Sequence, residues 1–205
     1  GFVEFAYFFG LRRAPYSTNM EHNAFTFKHI QDQVKVPTTH PISNLYQADF
    51  HMDGALNSEV HNSGEIWALM LWESYTAMLN RDGVSFSEAQ SRMMDYMVAS
   101  MKMTPFAPTF TEARDALLAV AMATDAADHQ VIRAAFAKRG MGLTAQSPER
   151  FDAGFDGTFE SRGHAGTVES FEAFGRAVAL DSIVLDNRYN GTHGAFCDTD
   201  NILDV

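Results

Sequence analysis

The sequence predicts a mainly α fold of about five helices, in which residues 61–142 form a helical bundle with short connections and residues 148–205 form an irregular, partly β extension. Two capping boxes, Ser85-Phe-Ser-Glu88 and Thr109-Phe-Thr-Glu112, indicate helix starts, because their first and fourth residues satisfy each other's free backbone N–H groups. Apolar residues recur at helical spacing after each box. Gly140 follows a basic pair, which is typical of a helix end.

The N-terminal third is predicted to contain little regular structure. Residues 1–10 are apolar and suggest a buried helix that stops at Gly10; with an acidic Glu4 and no basic start, they are not expected to be a signal peptide. Residues 11–58 are rich in loop-forming residues, with a short helix expected within 23–33.

A long helix is predicted over residues 61–80, and most of its circumference is expected to be buried. Its polar stripe consists of Glu65, Glu73, Thr76 and Asn80. If Glu59 were helical, it would point away from His61, because residues two apart do not face each other on a helix.

Three more helices follow the start signals. The first carries an apolar, methionine-rich stripe, which is more typical of core packing than of a copper or cofactor site. This stripe comprises Phe86, Ala89, Met93, Met97 and Met101. The second is ARDALLAVAMAT, and the third begins at Thr124 or Asp125. The apolar face of the third is Val131, Ile132, Ala135 and Phe136, with Lys138 and Arg139 in its last turn.

The composition changes after Gly142, where Gly, Ser, Asp and Phe dominate. TVESFEAF and DSIVL within this region have the pattern of short strands. We therefore expect a helical unit at 1–147 and an irregular, partly β unit at 148–205.

Composition excludes several classes of protein. The net charge of −11 argues against a nucleic-acid partner, and no apolar run approaches the roughly 20 residues that cross a membrane. A single cysteine, Cys197, rules out an internal disulfide and a cysteine-based zinc site. The chain contains neither HExxH, nor a phosphate-binding glycine loop, nor G-x-S-x-G.

Three features could still carry chemistry. His61 begins the long helix, with Asp49, Asp53, Glu59 and Glu65 near it in sequence and Gly64 allowing close approach; it is either a helix-start histidine or one half of a site. The adjacent Arg12 and Arg13 are either functional or an ordinary surface pair. The acidic tail is either half of a calcium loop or a solvated terminus. Its residues are Asp198, Asp200 and Asp204.

Three stretches together resemble the fungalysin family of secreted zinc metallopeptidases, which are relatives of thermolysin. They are GLRRAPYST (10–18) with NAFTFKHI (23–30), VHNSGEIWALMLWE (60–73), and MKMTPFAPTFTEARDALLAV with FAKRGMG (within 101–142). The tail TVESFE (167–172) fits the same family. The resemblance covers roughly residues 10–172 in the family's order.

The resemblance implies that this chain is the C-terminal lobe of such a catalytic domain. The family's HExxH and third zinc-ligand glutamate lie upstream and match nothing here, so zinc is expected in the full-length enzyme and not in this chain. His61 matches the oxyanion-stabilising histidine and Arg12 the arginine that binds the substrate carbonyl, with Arg13 the less favoured alignment. Asp53 is the expected orienter of His61.

The resemblance also implies partners and a location. The implied partners are the N-terminal half of the same domain and a polypeptide substrate, with no nucleic acid and no membrane. The implied location is outside the cell, by secretion. Two other functions stay open: a stand-alone, non-catalytic helical binding module derived from such a lobe, and an independent hydrolase or metal-binding protein that uses the eight histidines.

Overall fold

The computed structural model describes residues 12–35, 53–150 and 163–174, together with the backbone of two very short strands. Its elements are a 3₁₀ helix at Phe27–Ile30, α1 at Val60–Leu79, α2 at Phe86–Met103, α3 at Phe110–Thr124, α4 at Ala126–Lys138, β1 at Ala179–Leu180 and β2 at Ile183–Val184. The mainly α prediction is confirmed. The helix predicted at 1–10 and the acidic tail at 198–204 lie outside the described residues.

The helix starts follow the predicted caps. The Ser85 hydroxyl accepts the N–H of Glu88 at 3.3 Å. At Thr109 both halves of the box are formed, since the Glu112 carboxylate also accepts the Thr109 N–H at 2.8 Å. Asp125 caps α4 by accepting the N–H groups of Ala127 and Asp128. Each side chain satisfies N–H groups that a helix start leaves without a partner.

The four helices pack in a closed ring, in which α1 contacts α2 and α4, and α3 contacts α2 and α4. The core between them is apolar, and the loop segment before α1 adds three aromatic or branched side chains to it. Its buried members include Phe25, Phe27, Ile30, Ile66, Leu69, Met70, Met93, Tyr96, Leu117, Ile132 and Phe136.

The methionine stripe of α2 packs only in its middle. Ala89 and Met93 are buried as predicted, but Phe86 and Met101 are each 65% exposed. The helical period is as predicted, but the two ends of the stripe lie on the surface. The core-packing interpretation is therefore wrong for Phe86 and Met101.

Two acidic residues of the predicted polar stripe of α1 are buried. Glu73 accepts a hydrogen bond from Nε of Arg139 at 2.7 Å and pairs with Lys138 at 3.1 Å. Arg139 is fully buried and also donates to the carbonyls of Ser17, Asn23 and Phe25. The last-turn arginine thus ties the loop before α1 to the bundle.

A second ionic network joins α2 to α4. The Asp128 carboxylate is buried and accepts hydrogen bonds from Arg81, Arg92 and the Tyr96 hydroxyl, the last at 2.7 Å. Arg92 and Arg81 also pair with the capping residue Asp125, at 2.8 and 3.2 Å. Burial, together with its hydrogen bond to Asp128, raises the pKa of Tyr96.

The segment 163–174 packs onto the turn after α4. Gly142 donates to the Ser170 carbonyl at 2.7 Å, Ser170 donates to the Gly140 carbonyl at 2.8 Å, and Gln146 exchanges two bonds with Val168. Gly140 has φ of +83°, the left-handed conformation expected at a helix end. The contacts formed by TVESFE are isolated bridges, while β1 and β2 pair antiparallel. The boundary at 147/148 stays a prediction.

Candidate functional site

The start of α1 is held by a glutamate. Glu59 has ψ of 141°, outside the helical range, and its carboxylate accepts the N–H groups of His61 and Asn62 at 2.8 and 3.2 Å. A negative charge at this point also faces the positive end of the helix dipole. The prediction missed this cap because glutamate is not a preferred N-cap residue.

The His61 ring is bound by the same carboxylate. Its Nδ1 lies 2.7 Å from Oε1 of Glu59, and the His61 side chain is 74% exposed. The expectation that the two residues point apart is wrong, because Glu59 precedes the helix and its extended backbone turns the side chain back over His61. The other ring nitrogen, Nε2, is free of this bond.

The Glu59 carboxylate is stabilised in its charged form. Burial would raise its pKa, but hydrogen bonds from the His61 ring and from the backbone N–H groups of His61 and Asn62 outweigh burial, so the pKa of Glu59 is lowered from its ordinary value. Glu59 therefore remains an acceptor for His61 into mildly acidic solution.

Arg12 reaches the same helix start from the preceding segment. Its Nη1 donates to the His61 carbonyl oxygen at 3.1 Å, and the residue is exposed. An arginine has five N–H donors. One bond to a backbone oxygen therefore fixes the guanidinium beside His61 and leaves further donors for another group.

Arg13 has a different role from its neighbour. Its Nε and the Glu65 carboxylate lie 2.8 Å apart with both side chains almost fully buried, and its other nitrogens donate to Asn57 Oδ1 and the Asn62 carbonyl. The guanidinium also stacks 4.7 Å from the centre of the Phe25 ring. With these partners Arg13 is buried, and its substrate-binding role stays a prediction.

The Arg13–Glu65 pair fixes the backbone of the segment that carries Arg12. The second oxygen of Glu65 accepts the N–H of Ala14 at 3.2 Å. Asn57 extends the anchoring, because its amide nitrogen donates to the carbonyls of Gln31 and Val34. The prediction placed Glu65 near His61 but could not identify this pairing, since Arg13 lies 52 residues away in sequence.

Asp53 does not contact the His61 ring. Its carboxylate accepts the N–H of Ala55 at 3.0 Å, which is a local turn bond. The carboxylate that lies on the His61 ring is that of Glu59, and the orienting role expected of Asp53 stays a prediction. The signal was present in the sequence, because a glutamate at the residue before a helix can bond both the backbone and the side chain of the second helical residue.

Open space lies beside His61 at Gly64. The residue is exposed, and a Cβ atom built there would have no atom of another part of the protein within 4 Å. The expected close approach is not made by any described residue of this chain.

The described residues 12–35, 53–150 and 163–174 include no group of three or more histidine, cysteine, aspartate or glutamate side chains arranged to hold a metal ion. Nor is any helix among them long and apolar enough to span a bilayer.

Similarity to known proteins now identifies the family. The profile described as Fungalysin metallopeptidase matches residues 2–145. The extracellular metalloproteinase MEP of Neosartorya fischeri is 30% identical over 154 residues, which is 69% of this chain and 20% of the relative. The probable extracellular metalloproteinase 2 of Arthroderma benhamiae is 28% identical over 145 residues, 65% of this chain and 19% of the relative.

The extracellular metalloproteinase 2 of Trichophyton rubrum matches to the same extent, 28% over 145 residues. The chain thus spans about a fifth of the length of these curated relatives. The matched region contains the whole helical bundle and the start of α1 with Arg12 and His61. On this evidence the chain belongs to the fungalysin metallopeptidase family.

Proposed function

We propose that this chain is the C-terminal lobe of a fungalysin-like metalloendopeptidase, in which Arg12 and His61 stabilise the oxygen of the scissile carbonyl. The observation that carries the proposal is that the exposed Arg12 guanidinium lies at the same helix start as the exposed His61 ring. Nη1 of Arg12 donates to the backbone carbonyl of His61 at 3.1 Å. Peptide hydrolysis passes through a tetrahedral oxyanion, and donors placed where that charge develops accelerate the reaction.

His61 donates to the oxyanion through Nε2. Its Nδ1 is engaged by Glu59 at 2.7 Å, so Nε2 is the ring nitrogen that is left to face the substrate. In the doubly protonated ring, Nε2 is also a donor. Glu59 is thus the positioning residue for His61, in place of Asp53.

Arg12 donates to the same carbonyl oxygen from the other side. The bond from its Nη1 to the His61 carbonyl sets the position of its guanidinium. The buried Arg13–Glu65 pair supports this position, because it ties the segment that carries Arg12 to helix α1, which carries His61.

Zinc belongs to the family, and we propose that the full-length enzyme binds it through residues outside this chain. The described residues offer no set of three donors that would fit it. Zinc supplies Lewis-acid activation in such enzymes. This chain alone is expected to be inactive. Its proposed partners are the N-terminal half of the same domain and a polypeptide substrate. The relatives named extracellular metalloproteinases support secretion.

The test uses the full-length gene product that contains this chain. His61→Ala should lower kcat by about 10²–10³ with zinc content and melting temperature nearly unchanged, since the lost bond is made to charge that develops in the transition state. Arg12→Ala should act in the same direction, with an added rise in KM. Unimpaired turnover with a clearly lowered melting temperature would show that His61 is only a helix-start residue.

A further inference from the structure

An apolar groove lies between α1 and α2, and Tyr16 contributes to its lining. Its volume is about 330 Å³, at the lower end of the range for ligand pockets. The lining side chains are aromatic, aliphatic or thioether, with one amide and no charged group. They include Leu71, Trp72, Tyr75, Met93, Met94 and Met97.

The groove follows the same face of α1 as His61. Ala68, Trp72 and Tyr75 come seven, eleven and fourteen residues after His61, spacings that return to one face of a helix. At a rise of about 1.5 Å per residue, these three side chains lie roughly 10 to 21 Å from His61 along the helix axis.

Tyr16 links the groove to the catalytic candidates. It lines the groove and lies beside Arg12, whose guanidinium lowers the pKa of the Tyr16 hydroxyl while burial, the larger effect, raises it. Tyr16 is thus shared between the surroundings of Arg12 and a groove whose lining carries no charged group. This neutrality contrasts with the net charge of −11 of the whole chain and favours an apolar occupant.

We propose that this groove binds a large apolar side chain of the polypeptide substrate, about three to six residues from the scissile bond. The inference rests on the proposed function, which sets the scissile bond at His61. The range comes from the 10 to 21 Å separation, because an extended chain advances about 3.3 Å per residue. The substrates favoured are long polypeptides with Leu, Met or Phe at that distance, and short peptides gain nothing from the groove.

The first experiment measures binding without catalysis. The chain, carrying ¹³C-methyl methionine, is titrated with the uncharged probe N-acetyl-Phe-Leu-amide. The methyl signals of Met93, Met94 and Met97 should shift, and that of Met122, an exposed methionine on α3 outside the groove, should not. Equal shifts at Met122, or none at the groove, would overturn the proposal.

The second experiment measures specificity in the full-length gene product. Two long peptides are compared, one with Phe and one with Ser at the fifth position from the scissile bond. The Phe peptide should be cleaved with about tenfold higher kcat/KM. Met94→Glu should abolish this preference, because it places a charge in a neutral groove, while Met122→Glu, matched in residue type and exposure at 57% against 62%, should preserve it.

The outcomes separate this inference from the proposed function. If His61→Ala lowers cleavage of both peptides but Met94→Glu leaves the Phe preference intact, the site stands and the groove proposal fails. If Met94→Glu lowers the melting temperature and the cleavage of both peptides equally, another part of the polypeptide covers the groove, and the proposal is again overturned. If His61→Ala has no effect on turnover, the proposed function itself fails.

Discussion

Glu65→Ala removes the carboxylate that pairs with the buried Arg13. The two side chains are 1% and 0% exposed, and Nε of Arg13 lies 2.8 Å from Glu65. The remaining bonds of Arg13 go to neutral oxygens, at Asn57 and at the Asn62 carbonyl. The substitution also leaves the Ala14 N–H without its acceptor. It thus leaves both a buried charge and a backbone donor uncompensated.

The expected cost follows from these two losses. Removing one partner of a buried ion pair destabilises a protein by about 3–5 kcal/mol. This is a large share of the roughly 5–15 kcal/mol by which a domain is stable. A domain of this size loses about 2–4 °C in Tm per kcal/mol, so the melting temperature should fall by about 6–20 °C.

Urea unfolding of the chain, followed by circular dichroism at 222 nm, measures this cost directly. Glu21→Ala is the matched control, because Glu21 is an exposed glutamate in the same loop segment, and its effect should stay within about 0.5 kcal/mol. The double substitution of Arg13 and Glu65 by Met should recover much of the loss, since it removes both charges. A cost for Glu65→Ala below about 1 kcal/mol would refute the reasoning.

Two further predictions concern the bundle. Asp125 has its pKa lowered from 3.8 to about 2, because bonds from the Ala127 and Asp128 N–H groups and from Arg81 and Arg92 outweigh burial. The resulting stabilisation of the fold, about 2 kcal/mol, is present above the ordinary pKa of Asp125 and is lost as pH falls through its folded-state pKa. Urea titrations between pH 5 and pH 2 should therefore show a shallower loss of stability in Asp125→Asn, because asparagine keeps the cap and carries no titrating carboxyl. Gly142→Ala should destabilise the fold by about 1–3 kcal/mol in the same assay, because its Cβ would meet the Ser170 carbonyl oxygen at 2.7 Å. The same pH dependence of stability in Asp125→Asn as in the unsubstituted chain, or a Gly142→Ala variant as stable as the unsubstituted chain, would contradict these assignments.

Sequence reasoning succeeded where the determinants are local. The caps at Ser85, Thr109 and Asp125 bond groups two or three residues away, so the helix starts could be read from the chain itself. The stop at Gly140 is equally local, because its φ of +83° favours glycine. These signals mark the starts of α2, α3 and α4 and the end of α4, and they indicate the fold class.

Reasoning from sequence failed where a charge finds a distant partner. Glu65 and Glu73 have the spacing of a solvated stripe, but both are buried. Glu65 pairs with Arg13, 52 residues away, and Glu73 pairs with Arg139, 66 residues away. Arg12 and Arg13 are neighbours of one type, and only the fold distinguishes the exposed one from the buried one. Glu59 was missed for a local reason: its side chain meets His61 because its backbone lies outside the helix.

The central claim is that Arg12 and His61 act on the oxyanion, and binding of a tetrahedral anion measures this most directly. A peptide phosphonate resembles the transition state, so in the full-length gene product its Ki should rise in His61→Ala and Arg12→Ala by the same factor by which kcat/KM falls, about 10²–10³ for His61. Affinity for the matching uncleaved peptide should change little in His61→Ala. A phosphonate Ki unchanged by His61→Ala, beside lowered turnover, would contradict the account.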